Sequence, residues 1–201
     1  MARIKGSSES GKLGDKILYT VHGRQYERSM PTHVANPKTE AQQSHRNAFA
    51  MISKLSSYMK DAHLVGLHWL SVKDKNSTYA LFKHLNKDCF TTDGMVDLPR
   101  IIVSKGSVPL VDITSAVIDK GILTLTFDSR HFGGNATDEF YLFVYCSALC
   151  TGLLAEPVPR STGVVTAVLH SEWHSHPLHL YAFLRGSKGR TSDTIYCHLS
   201  V

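Results

Sequence analysis

The chain has 201 residues, 42% of them apolar and 19% charged, with a formal net charge of +5 at pH 7. That length holds one large domain or two small ones, and the composition excludes wholesale disorder. No stretch approaches the roughly 18 consecutive apolar residues of a membrane helix, so no membrane partner is expected and the expected location is the cytoplasm or an assembled particle. The positive start Met1-Ala2-Arg3-Ile4-Lys5 runs into Gly and Ser without an apolar stretch, which argues against a secretory leader in these residues. Charge is uneven along the chain: residues 1–100 carry 15 Lys/Arg against 9 Asp/Glu, and residues 101–201 carry 7 against 8. An acidic partner or surface therefore suits the first half. The cysteines, Cys89, Cys146, Cys150 and Cys197, lack the spacing of a disulfide-dense scaffold and are expected as reduced, mostly buried thiols.

Residues 1–15 are rich in Gly, Ser and Lys and are expected to be mobile, or ordered only against a partner. Lys16–Val21 and Arg24–Arg28 then flank His22-Gly23, the pattern of a β-hairpin whose glycine supplies the positive φ of a tight turn. A lone hairpin is marginal and needs something to pair with or pack on. Ser29-Met30-Pro31 ends the second strand, and Asn36-Pro37 marks a turn. Thr39-Glu40-Ala41-Gln42 has the spacing of a capping box. The helix it opens carries Ala41, Ala48, Phe49, Ile52, Leu55 and Met59 at helical spacing and should end near Asp61. A second helix is predicted over His63–Leu70. A third, capped by Asn76 or Ser77, places Tyr79, Phe82 and Leu85 on one side and ends at Asn86.

From Leu98 the pattern changes to β-rich runs at 110–118, Ile122–Phe127, Glu139–Cys146, Gly163–Leu169, Pro177–Arg185 and Thr191–Leu199, with a further run at Ala148–Ala155. Gly121, Gly133-Gly134-Asn135, Pro157–Pro159 and Gly186–Gly189 punctuate them. Closely spaced strands with no helices between them predict an antiparallel sandwich. The predicted fold class is α+β. An N-terminal β-hairpin and small helical region over residues 1–97 precede an immunoglobulin/fibronectin-like antiparallel β-sandwich over residues 98–201.

The densest cluster of potential ligands is His170-Ser171-Glu172-Trp173-His174-Ser175-His176-Pro177-Leu178-His179. In an extended strand Glu172, His174 and His176 would share a face, two imidazoles and a carboxylate that suit Zn²⁺. A metal-dependent enzyme at this segment is therefore one alternative; the other reading is a solvated turn broken by Pro177. Cys146-x₃-Cys150 has no second close pair to complete a zinc site. Gly6-Ser7-Ser8-Glu9-Ser10-Gly11-Lys12 has the glycine spacing of a phosphate loop, but Leu13 stands where Ser or Thr should follow and no strand precedes it. No nucleophile elbow, catalytic cysteine context or paired carboxylates occur. The expectation is no enzyme, no cofactor, no metal site and no catalytic residue.

Arg3, Lys5, Lys12, Lys16, Arg24, Arg28, Lys38 and Arg46 are interleaved with Tyr19 and Tyr26. Phosphate contacts from the cations and base stacking from the tyrosines would suit single-stranded nucleic acid, a further alternative to a merely solvated surface.

Gly11-Lys12-Leu13-Gly14, Gly23, Arg28-Ser29-Met30-Pro31 and Asn36-Pro37-Lys38-Thr39-Glu40-Ala41-Gln42 with Arg46 and Phe49 resemble a Bacteroidota family of unknown function. Its C-terminal half is matched by Ser104-Lys105-Gly106, Asp138, Tyr145, Arg160-Ser161-Thr162-Gly163, His179-Leu180-Tyr181-Ala182-Phe183 and Ser192-Asp193-Thr194-Ile195-Tyr196. The resemblance covers most of the chain and brings no catalytic residues with it. The Asn-Pro-x-Thr-x-x-Gln run is also similar to one in phage and prophage-encoded proteins. The expected function is a structural or protein-interaction module, with a protein partner or self-assembly, in a phage-like or mobile-element assembly.

Overall fold

A computed structural model describes residues 2–3, 10–21, 23–31, 38–90, 95–130 and 133–199. The chain divides into two compact units, Met1–Thr39 and Glu40–Val201.

The first unit is an antiparallel sheet of β1 (Ala2–Arg3), β2 (Gly11–Leu13), β3 (Lys16–Val21) and β4 (Arg24–Ser29), in the order β1-β4-β3-β2. Val21 pairs with Arg24, so β3 and β4 form the expected hairpin with a two-residue connection, and Gly23 has φ +73°. Of the lead over residues 1–15, residues 1 and 4–9 lie outside the described residues. Ala2–Arg3 and Gly11–Leu13 are strands that pair with the two outer edges of the hairpin. An isolated hairpin leaves a row of unpaired N–H and C=O groups on each side, and the flanking chain supplies their partners. The turn expected at Asn36-Pro37 lies outside the described residues.

The second unit opens with α1 (Glu40–Tyr58), α2 (Lys60–Gly66), α3 (His68–Asp74) and α4 (Thr78–Leu85). α1 starts directly after Thr39, where the capping spacing places it. The helices expected to run to Asp61 and over His63–Leu70 are instead broken at Met59 and Leu67. Both residues have bridge-region ψ values, 19° and 2°, and both are fully buried. Backbone bonds from Met59 N to Leu55 O (2.9 Å) and from Leu67 N to His63 O (3.0 Å) span the breaks, so the helical path kinks without unravelling. Ser77 caps α4, its side chain accepting from Ala80 N at 3.1 Å. Of the apolar stripe expected on α1, Ile52, Leu55 and Met59 are buried, whereas Phe49 is 52% exposed.

Among the described residues eight strands follow: β5 (Ile113–Asp119), β6 (Ile122–Phe127), β7 (Glu139–Cys146), β8 (Thr151–Leu154), β9 (Val158–Pro159), β10 (Val164–Val168), β11 (Leu178–Arg185) and β12 (Ile195–Leu199). They form two antiparallel sheets, one ordered β10-β6-β5 and the other β12-β11-β7-β8, with β9 also paired to β7. Leu123, Leu125 and Val165 of the smaller sheet share one apolar cluster with Phe140, Leu142, Val144, Leu180 and Ala182 of the larger.

The opposite face of β7 and β11 carries Tyr141, Phe143, Tyr145, Tyr181 and Phe183. These belong to a second cluster with Leu55, Met59, Leu67 and Phe82 of the helices. Both central strands are therefore covered on both sides, with mostly aliphatic residues toward the second sheet and aromatic ones toward the helices. The boundary expected at 97/98 lies inside this unit, because the helices and the larger sheet share a core.

Candidate functional site

The loops that join these elements are held by two buried polar arrangements. Arg160 is fully buried with Asp138 beside it, Nη1 to Oδ2 3.8 Å. The guanidinium donates to the carbonyls of Pro109 and Leu110, both at 3.0 Å, while Asp138 Oδ2 accepts from Asn135 N at 2.9 Å. This pair ties the segments at 109–110, 135–138 and 160 together. An open cleft of about 270 Å³ beside it is lined by Val108, Pro109, Gly134, Asp138, Lys188 and Arg190, below the usual size of a small-molecule pocket. The Asp138 carboxylate is committed to Arg160 and Asn135, which leaves it poorly placed as an acid or base.

The second arrangement is a set of hydroxyls. Thr194 Oγ1 accepts from Val103 N (3.0 Å) and Ser104 N (2.9 Å), and Ser104 Oγ lies 2.7 Å from Ser192 O. Thr191 Oγ1 donates toward Gly66 O at 3.0 Å, and Gly106 N donates to Asp193 Oδ1 at 3.1 Å. Asn86 completes the clasp from the end of α4, accepting from Ile102 N at 2.7 Å and donating to Ile102 O at 2.9 Å. These groups stand in for sheet pairing along 102–106. A Cβ on Gly106 would overlap the Thr191 carbonyl, so only glycine fits the approach.

The His170–His179 segment does not have the geometry of a shared strand face. Ser171–Trp173 is a 3₁₀ turn, and burial of the Trp173 ring (2% exposed) drives the chain inward there, which removes the alternation that would align Glu172, His174 and His176. His179 lies on β11, where Nδ1 is 2.8 Å from the Tyr196 hydroxyl, and burial first, then His198, lowers its pKa. Among the described residues no group of three or more His, Cys, Asp or Glu is placed to hold a metal ion. Cys89 and Cys146 are buried thiols, Cys197 is partly buried and Cys150 is exposed.

Two surfaces remain, one on each unit. In the first, register decides which side chains share a face. Ile17 pairs with Lys12 and Arg28, Tyr19 with Tyr26, and Val21 with Arg24. Opposed residues of an antiparallel pair point the same way. One face therefore carries Lys12, Arg24 and Arg28 around Tyr19 and Tyr26, whose rings stack at 5.8 Å and 25°. The other face carries Lys16, Leu18 and Glu27, with Lys16 and Glu27 paired at 3.5 Å. The sequence lists the cations; only the register separates Lys16 from the rest.

On the second unit the outward positions of the smaller sheet are Ser115, Val117, Asp119, Ile122, Thr124, Thr126, Val164, Thr166 and Val168. Val117, Ile122 and Val168 are 57%, 44% and 75% exposed. Most of these residues are β-branched, and Asp119 is the one formal charge among them. β5 and β10 are the edges of that sheet.

A model of a family of unknown function (DUF6266) matches residues 8–196. The chain belongs to this family. The family assigns no chemistry to the DUF6266 chain, and among curated proteins no sequence matches it. Among solved structures, the spore cortex lytic enzyme SleM of Clostridium perfringens is similar at 14% identity over 49% of this chain, with a TM-score of 0.36. The match spans 29% of that enzyme's chain and carries no argument about fold or activity. No helix among the described residues is long and apolar enough to cross a membrane.

Proposed function

We propose that the chain is a non-enzymatic structural or protein-interaction module whose second unit is an immunoglobulin-like sandwich that self-associates through the outer face of β5, β6 and β10. The observation that carries this reading is the exposure of Val117, Ile122 and Val168 on a face with a single carboxylate. Its exposed valine and isoleucine side chains gain by burial, and a face with one carboxylate has little charge to desolvate. Because it is nearly uncharged, it can meet its own copy without opposing like charges, which favours a second copy over a partner selected by charge. Two antiparallel sheets over one apolar cluster support the sandwich reading. The similarity of the Asn36–Gln42 run to phage and prophage-encoded proteins supports a role in a particle-like or mobile-element assembly, and the wider resemblance supports a Bacteroidota origin.

Sedimentation equilibrium of the full chain from micromolar to several hundred micromolar tests the proposal. The face offers nine outward residues, fewer than the roughly 20–30 a side of a standard interface, so a weak dimer is expected. Its association should be insensitive to salt, and Val168→Lys should abolish it without lowering the melting temperature. A chain that stays monomeric throughout, or a dimer indifferent to Val168→Lys and Val117→Lys, overturns it.

A further inference from the structure

We propose that the Lys12–Arg24–Arg28 face of the N-terminal sheet binds single-stranded nucleic acid, with Tyr19 and Tyr26 as the stacking platform for an unpaired base. This goes beyond the self-association above and uses residues of the other unit. Three observations converge on it. The cations are exposed and lie at the margins of the face, while the two tyrosine rings are half-buried side by side at its centre. Among the described residues no carboxylate shares the face: Glu27, the acidic residue of β4, points to the opposite side, where it holds Lys16. Arg24 and Arg28 stand four residues apart on one strand, about 14 Å at the rise of an extended chain, with Lys12 across the sheet on β2.

The chemistry favours this ligand over others. A polyanion alone needs the cations and has no use for a stacked aromatic pair. An acidic peptide offers carboxylates without a flat π-surface. A duplex offers phosphates but keeps its bases stacked inside. Only a single strand presents both a phosphate backbone and free base faces, and stacking of those faces on aromatic rings is tolerant of sequence. Arginine adds a planar group able to contact phosphate through two N–H bonds and to stack as well.

The test uses the full chain and a fluorescently labelled 20-nucleotide oligothymidylate, with a duplex of equal length, heparin and polyglutamate as competitors. Three phosphate contacts on a single strand predict a log–log salt slope of about −2, so affinity should fall about 100-fold between 50 and 500 mM salt. Arg24→Gln and Arg28→Gln should each weaken binding and reduce that slope by about 0.7. Lys16→Gln, which removes the same charge from the other face, should leave it unchanged. Tyr26→Ala should cost roughly 5- to 150-fold and Tyr26→Phe little, the second variant separating loss of stacking from loss of fold. The inference is overturned by absence of binding at 50 mM salt, by duplex binding as tight as single strand, or by equal losses from Lys16→Gln and Arg24→Gln. Full competition by polyglutamate together with a silent Tyr26→Ala would assign the face to an acidic polypeptide and overturn it too. Val168→Lys, which tests self-association, should leave oligothymidylate binding intact, so either proposal can fail without the other.

Discussion

Replacing Asp138 with Asn should destabilise the second unit by about 3–5 kcal/mol, the cost of leaving a buried charge without its counter-ion. Asp138 and Arg160 have side chains 3% and 0% exposed, so little solvent screens the guanidinium once the carboxylate is gone. The two carbonyl partners at 3.0 Å cannot neutralise it, and Arg160 Nε has no hydrogen-bond partner among the described residues. Asparagine keeps the shape and still accepts from Asn135 N, so the change isolates charge from packing. For a chain of this length, 1 kcal/mol moves the melting temperature by about 2–4 °C, giving a drop of at least about 6 °C. Urea unfolding followed by tryptophan emission reads it directly, since Trp173 is buried in the cluster shared by the two sheets. Arg160→Met alone should also be costly, because it strands the Asp138 carboxylate and the Pro109 and Leu110 carbonyls. The double variant should lose less than the sum of the two, as expected of groups in direct contact. A loss below about 1 kcal/mol for Asp138→Asn, or strict additivity, would refute the pinning role.

Stability should also depend on His63, which is 2% exposed with Nε2 3.0 Å from the Ser56 carbonyl, its pKa lowered chiefly by burial. The unfolded chain then binds the proton more readily, so this contribution is present above the ordinary histidine pKa near 6.5 and is lost as pH falls through the folded value. Melting temperature should decline between pH 7.5 and 5, and His63→Gln should flatten part of that slope, His179 having the same sign. Gly106→Ala should abolish soluble expression or cost several kcal/mol, whereas Gly189→Ala, strained only by φ +74° with open space around it, should cost about 1 kcal/mol in thermal melts. Ser77→Ala removes the cap of α4 and should cost about 1 kcal/mol in urea unfolding.

The hairpin and the α4 cap were legible because their signals are local: a glycine in a two-residue turn and a serine before a helix. Kinks at Met59 and Leu67 were not, since nothing in either side chain breaks a helix and the cause is the pull of each into the core. β7 carries its own signal in the sequence. From Phe140 to Cys146 no polar position alternates, which is the mark of a strand covered on both faces, and it implied that something other than the second sheet must pack there. The helices of residues 40–85 meet that requirement. Neither the Arg160–Asp138 contact nor the clasp between 102–106 and 191–194 has a spacing rule, because both join segments far apart in the chain. For the basic face, composition named the cations but could not sort them. A one-residue slip between strands moves every side chain to the other side, so the sorting exists only once the register is known.

What separates scaffold from working surface in this chain is whether a polar residue already has a structural occupation. Ser104, Asp138, Arg160, Ser192 and Thr194 carry much of the C-terminal half of the family resemblance, and each is engaged in holding loops of the second unit together. Their hydrogen bonds are made inside the protein, with Arg160 Nε alone among these groups left over. Lys12 and Arg28 belong to the N-terminal half of that resemblance and are exposed. Gathering three exposed cations on one face, with no carboxylate among the described residues there, has no value to a small sheet and raises its self-repulsion. It is offset only when an anionic ligand arrives. The outer face of β5, β6 and β10 is the converse case, nearly uncharged, with Val117, Ile122 and Val168 exposed among hydroxyl residues. Salt should therefore separate the two surfaces, weakening whatever the first binds and leaving the second untouched.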